Sequence, residues 1–88
     1  MNESIDIAFA SAKVASASNK NAHLAVLGMS MGYNFGQMAR YRYLSATCQN
    51  AIANGANYQA CSDQVDQYNR EMRKHFILGI LDVLSCTI

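Results

Sequence analysis

From Leu24 onward the apolar residues recur in unbroken steps of three or four: Leu24, Leu27, Met31, Phe35, Met38, Tyr41, Leu44, Cys48, Ile52. That spacing follows one face of an α-helix of 3.6 residues per turn and predicts a long central helix over residues 21–54. It stops at Asn54–Gly55–Ala56–Asn57, where Asn-Gly is a strong turn signal and Gly55 can take a left-handed C-terminal cap. Upstream, Ile5, Ala8, Phe9, Ala12 and Ala15 share helical spacing, with Asn2 or Ser4 as N-cap and Asp6 suited to the N-terminal dipole. This predicts a first helix over 4–18, fading at Ser18–Asn21. Downstream, Ser62 reads as an N-cap with Asp63 and Asp66 in the first turn, and Val65, Tyr68, Met72, Phe76, Ile80 and Val83 follow. A third helix is expected over 62–85, with Asp66 and Arg70 as a favourable pair one turn apart.

The fold expected is all-α: three helices in a single domain, residues 1–88, with a long central helix and a C-terminal helical hairpin. The absence of proline and of β-branched runs agrees. At 88 residues the chain buries only about 60–65 per cent of its unfolded surface. Its own core is thin, and self-association, favouring a dimer, is expected to complete it. The surface assigned to that role is Ile77, Leu81, Leu84 and Ile88, since the third helix is apolar on more than one side.

Gly28, Gly32 and Gly36 stand four apart inside the central pattern, each one position after an apolar residue. Three glycines cost a helix roughly 3 kcal/mol relative to alanine, so a continuous helix here calls for a compensating close contact; a loop is the alternative. In a hairpin that turns near residues 57 and 58, Gly36 falls close to Gly79 and Gly32 close to Val83. The four glycines Gly28, Gly32, Gly36 and Gly79 are therefore expected at close helix packing. Small residues four apart also occur in membrane helices. No membrane span is expected here, because Ser30, Asn34 and Gln37 interrupt one candidate and the Phe76–Ile88 stretch is short and contains Asp82.

Seven Lys and Arg against six Asp and Glu leave a net charge of +1, so no global field favours nucleic acid or an anionic surface. Any charged site is local. Arg40, Tyr41, Arg42 and Tyr43 alternate on the central helix, and Arg70, Arg73, Lys74 and His75 follow on the third. The same hairpin centre brings Arg42 beside Arg73 and Arg40 near His75, a ligand or partner patch that suits phosphate or a stacked base. The competing reading is a solvated outer face with Tyr41 in the core.

Cys48, Cys61 and Cys86 are odd in number and Met1 is not followed by a charged and then apolar leader, so reduced thiols in the cytoplasm are expected. A Cys48–Cys61 disulfide is the alternative. Neither the cysteines nor the scattered carboxylates suggest a metal or another cofactor, and no nucleophile, base and orienting group share a spacing. The function expected is a small non-enzymatic helical binding protein acting through a macromolecular partner, as inhibitor, adaptor or assembly component. The alternative is a nucleotide or nucleic-acid binder using the Arg/Tyr patch.

Overall fold

A computed structural model describes residues 3–55 and 58–87. Its three helices are α1 (Glu3–Ala15), α2 (Lys20–Ala53) and α3 (Tyr58–Thr87), with no strand among the described residues. The Ile88 and Asn2 assignments lie outside those residues. α2 runs unbroken through Gly28, Gly32 and Gly36 for 34 residues, about 51 Å at 1.5 Å per residue, and so accounts for the 54 Å long axis of the molecule. The extended Asn19 caps it, its side chain accepting from the Ala22 N–H at 3.1 Å. Gly55, at φ 93°, takes the left-handed conformation that closes its C-terminal end.

α2 and α3 form an antiparallel hairpin, held from Cys48–Cys61 near the turn to Phe35–Gly79 far from it. Its interior follows a seven-residue repeat. Leu27, Asn34, Tyr41 and Cys48 are buried on α2, joined by Ser30 and Ser45. Opposite them, Cys61, Val65, Tyr68, Met72, His75, Gly79 and Asp82 step alternately by four and three, with the last three fully buried. This is coiled-coil spacing, with a polar filling.

Several expectations are corrected by that register. Gly28, Gly32 and Gly36 do not pack against a helix, because no atom lies within 4 Å of where their Cβ atoms would stand. They border the apolar stripe on its far side, turned away from α3. Gly79 is the tight position, where a Cβ would meet the Phe35 ring at 2.8 Å. Phe76 and Ile80, expected on the inner stripe of α3, are 48% and 38% exposed, their place taken by His75, Gly79 and Asp82. Ser62 is not an N-cap, since α3 begins at Tyr58. α1 ends at Ala15 and not at residue 18, and Ser16 turns its hydroxyl back to the Ala12 carbonyl at 2.7 Å.

α1 lies against one side of the hairpin without burying any residue. Phe9 meets Tyr33 with ring centroids 5.4 Å apart, Lys13 pairs with Asp82 at 2.6 Å, and Asp6 pairs with Lys74 at 3.0 Å. The radius of gyration, 16.1 Å, exceeds the roughly 12 Å of a compact chain of this length.

Candidate binding surfaces

The buried polar residues form a connected line along the hairpin. Asn34 donates to the Ser30 carbonyl at 2.9 Å, and its Oδ1 stands 2.7 Å from His75 Nδ1, which donates to it. His75 Nε2 faces Glu71 Oε2 at 3.6 Å, and that carboxylate also pairs with Lys74 at 3.2 Å. The imidazole stacks on Tyr41, nearly parallel with centroids 6.0 Å apart, and meets Tyr33 edge-on at 5.7 Å. Burial pushes His75 below its ordinary pKa, with Lys74 adding to the effect against the pull of Asp6 and Glu71. Burial alone would lower Lys74, but its hydrogen bonds to Asp6 and Glu71 outweigh that and raise it. Burial, with Glu71 nearby, also raises Tyr41. Ser45 donates to Asn69 Oδ1 at 3.0 Å and continues the line toward the turn.

The basic and aromatic residues do not form one patch. Tyr41 is buried, stacking on Tyr68 as well as His75. His75 is buried too, and Lys74 is committed to Asp6 and Glu71. Arg40 does not reach His75; it borders a groove with Ile5, Gln37, Gln64, Gln67 and Tyr68. Tyr43 and Arg70 are exposed on the outer surfaces of α2 and α3. Arg42 and Arg73 do come together, lining one hollow with Met38, Met72 and Phe76. The turn position therefore placed the outward pair correctly. Tyr41, one step from Arg42 and so about 100° around the helix, turned inward instead. Met38 and Met72 were missed as lining residues, although both stood in the apolar pattern, Met38 one turn before Arg42 and Met72 directly before Arg73.

The three cysteines are free. Cys48 Sγ donates to the Cys61 carbonyl at 3.3 Å, and interaction with Cys61 together with burial pushes its thiol pKa up to about 11. Such a thiol is a poor nucleophile at neutral pH. Among the described residues no three His, Cys, Asp or Glu side chains are grouped to hold a metal ion, and no helix is long and apolar enough to cross a membrane.

A run of exposed apolar side chains lies on the outer side of α3. Phe76, Ile77, Ile80, Leu81 and Leu84 are 48%, 57%, 38%, 52% and 52% exposed. Between Phe76 and Ser85 the one charged residue is Asp82, which turns inward to Lys13. No family model, curated protein or solved structure matches the chain.

Proposed function

We propose that this protein is a non-enzymatic helical assembly component that works by self-association, two copies packing through the outer face of α3. The observation that carries the reading is the run of five half-exposed large apolar side chains from Phe76 to Leu84 on a chain whose buried apolar side chains, among the described residues, are Leu27, Tyr41 and Cys48. Half the surface of five such side chains is on the order of 400–500 Å², at the upper end of what monomers leave bare. Doubled across a two-fold axis it reaches roughly 1,000 Å², the lower bound for a specific interface.

A second copy is the occupant because the face is uncharged and so complementary to itself. An antiparallel crossing centred between Ile80 and Leu81 sets Ile77 of one copy against Leu84 of the other. Macromolecular partners would then meet the assembled form. The base-stacking alternative draws less support, since Tyr41 and His75 are buried and Lys74 is paired.

Sedimentation and light scattering at micromolar concentration test this. Wild type should run as a dimer, and Leu81→Asp as a monomer of unchanged helical content. A wild-type monomer whose solution radius of gyration matches 16.1 Å would remove the proposal.

A further inference from the structure

The hollow lined by Met38, Arg42, Met72, Arg73 and Phe76 encloses about 290 Å³ between α2 and α3. Its floor is two methionines and a phenylalanine. Methionine side chains are unbranched and polarisable and adapt to irregular apolar shapes. Arg42 and Arg73 complete this almost wholly apolar lining, chiefly through their aliphatic stems, and no Asp or Glu lines it. Neither Arg42 nor Arg73 has an ion-pair partner among the described residues, whereas Lys13 and Lys74 are both paired. Glu71, two positions before Arg73, turns to Lys74 and His75 instead. Two arginines without ion-pair partners, whose long side chains border an apolar lining, match a ligand with one anionic end and one apolar body.

From this geometry we infer that the hollow is a binding site for a small amphiphilic carboxylate, such as a medium-chain fatty acid. The planar guanidinium forks of Arg42 and Arg73 hold the carboxylate, each able to donate two parallel hydrogen bonds. The aliphatic body lies on Met38, Met72 and Phe76. The volume is near the lower limit for small-molecule sites, which suits an alkyl chain. A nucleotide fits poorly, because the floor offers no hydrogen-bonding side chain to read a base or a sugar hydroxyl. The site adjoins the association face at Phe76, which borders both, and at Arg73, one turn before it on the same side of α3.

Decanoate is the probe, with decan-1-ol as the neutral body and inorganic phosphate as a head without a body. The readout is methyl NMR of the methionines. Decanoate should shift Met38 and Met72 saturably while leaving Met29, exposed elsewhere on α2, unmoved; decan-1-ol and phosphate should shift neither appreciably. Arg42→Ala and Arg73→Ala should each weaken decanoate roughly tenfold, as loss of a charge-assisted contact does, and added salt should weaken it further. Met72→Trp should abolish binding with both arginines intact by filling the floor. The arginine variants should sediment like wild type, which separates failure of this site from failure of association. Equal shifts from decanoate and decan-1-ol, a Met29 shift parallel to Met38, or unchanged affinity in both arginine variants would each overturn the inference.

Discussion

Replacing Gly28, Gly32 and Gly36 by alanine together tests the orientation of α2 directly. Each lies inside a continuous helix, and each would place its new methyl where no atom stands within 4 Å. The folded state therefore loses nothing, while the unfolded chain loses backbone freedom. The helix-propensity difference is about 0.8–1.0 kcal/mol per site, and three sites with no shared neighbour should add to about 2.5–3 kcal/mol. For a domain of this size, 1 kcal/mol moves the midpoint by roughly 4–8 °C, so the triple variant should melt some 10–24 °C above wild type. Gly79→Ala is the internal contrast. Its Cβ would meet three Phe35 ring atoms at 2.8, 2.9 and 3.1 Å, and displacing the ring, at about 1–3 kcal/mol, cancels or exceeds the same propensity gain. The assay is thermal unfolding followed by far-UV circular dichroism, at one protein concentration throughout because association shifts the midpoint. A triple variant that melts lower than wild type, or that changes its sedimenting mass, would show the glycine row to be a contact surface of the assembled protein and refute the reasoning.

Lys13→Ala should cost about 2 kcal/mol in chemical denaturation, because it strands the buried Asp82 carboxylate; the partial exposure of Lys13 keeps the loss below the 3–5 kcal/mol typical of a fully buried pair. The double variant Lys13→Met/Asp82→Leu should be the milder one, and a double variant worse than the single would contradict this account. Stability should fall as pH drops below 6.5. The pKa of His75 is depressed in the folded state, so its contribution is present above 6.5 and is lost as pH falls through the folded value. The groups facing it are Asp6 from α1, Tyr33, Asn34 and Tyr41 from α2, and Glu71 and Lys74 on α3 itself; relative to His75→Gln, wild type should weaken on acidification, and parallel pH profiles would exclude the effect. Alkylation at neutral pH followed by mass spectrometry should modify exposed Cys86 about a hundredfold faster than Cys48, whose thiol titrates at about 11; comparable rates would mean that the turn end of the hairpin opens readily.

The course of the backbone was legible because helices and turns are written in local spacing. The unbroken three-and-four steps from Leu24 to Ile52 carried α2 through its glycines, and Gly55 marked the end with its positive φ. Which face of α2 turned inward was not legible from apolar residues alone. Ser30, Asn34 and Ser45 count as interruptions when only hydrophobicity is tallied, yet they are buried. Asn34 and Ser45 find hydrogen-bond partners on α3, at His75 and Asn69, and those partners are unknowable before the register is known. The recurrence of Leu27, Asn34, Tyr41 and Cys48 every seven residues was a usable signal had polar residues been admitted to it. Arg42 and Arg73 were found because both point outward, where the turn position decides proximity. The seat of α1 had no local signature: its ion pairs to Asp82 and Lys74 span most of the chain.

A seven-residue repeat would let the helices slide by whole heptads wherever the turn could re-form, and the polar line adds to the turn in distinguishing one register from the next. Moving α3 by seven residues would keep the helical faces opposed but would set His75 against Leu27 or Tyr41 and leave Asn34 Oδ1 without its donor. Each polar group so stranded costs about 1–3 kcal/mol, whereas an all-apolar seam would penalise the slide little. Buried polar groups that fix register this way reduce stability as they do so. Asn34→Leu/His75→Leu should therefore raise the melting temperature while loosening the alignment, an outcome the Cys48–Cys61 neighbours can report. Under diamide, the intramolecular disulfide of wild type should be Cys48–Cys61, because Cys48 Sγ already lies 3.3 Å from the Cys61 carbonyl. The double variant should give a lower yield of it together with other pairings. A double variant that keeps the wild-type disulfide yield and melts lower would show that the seam stabilises the hairpin without choosing its register.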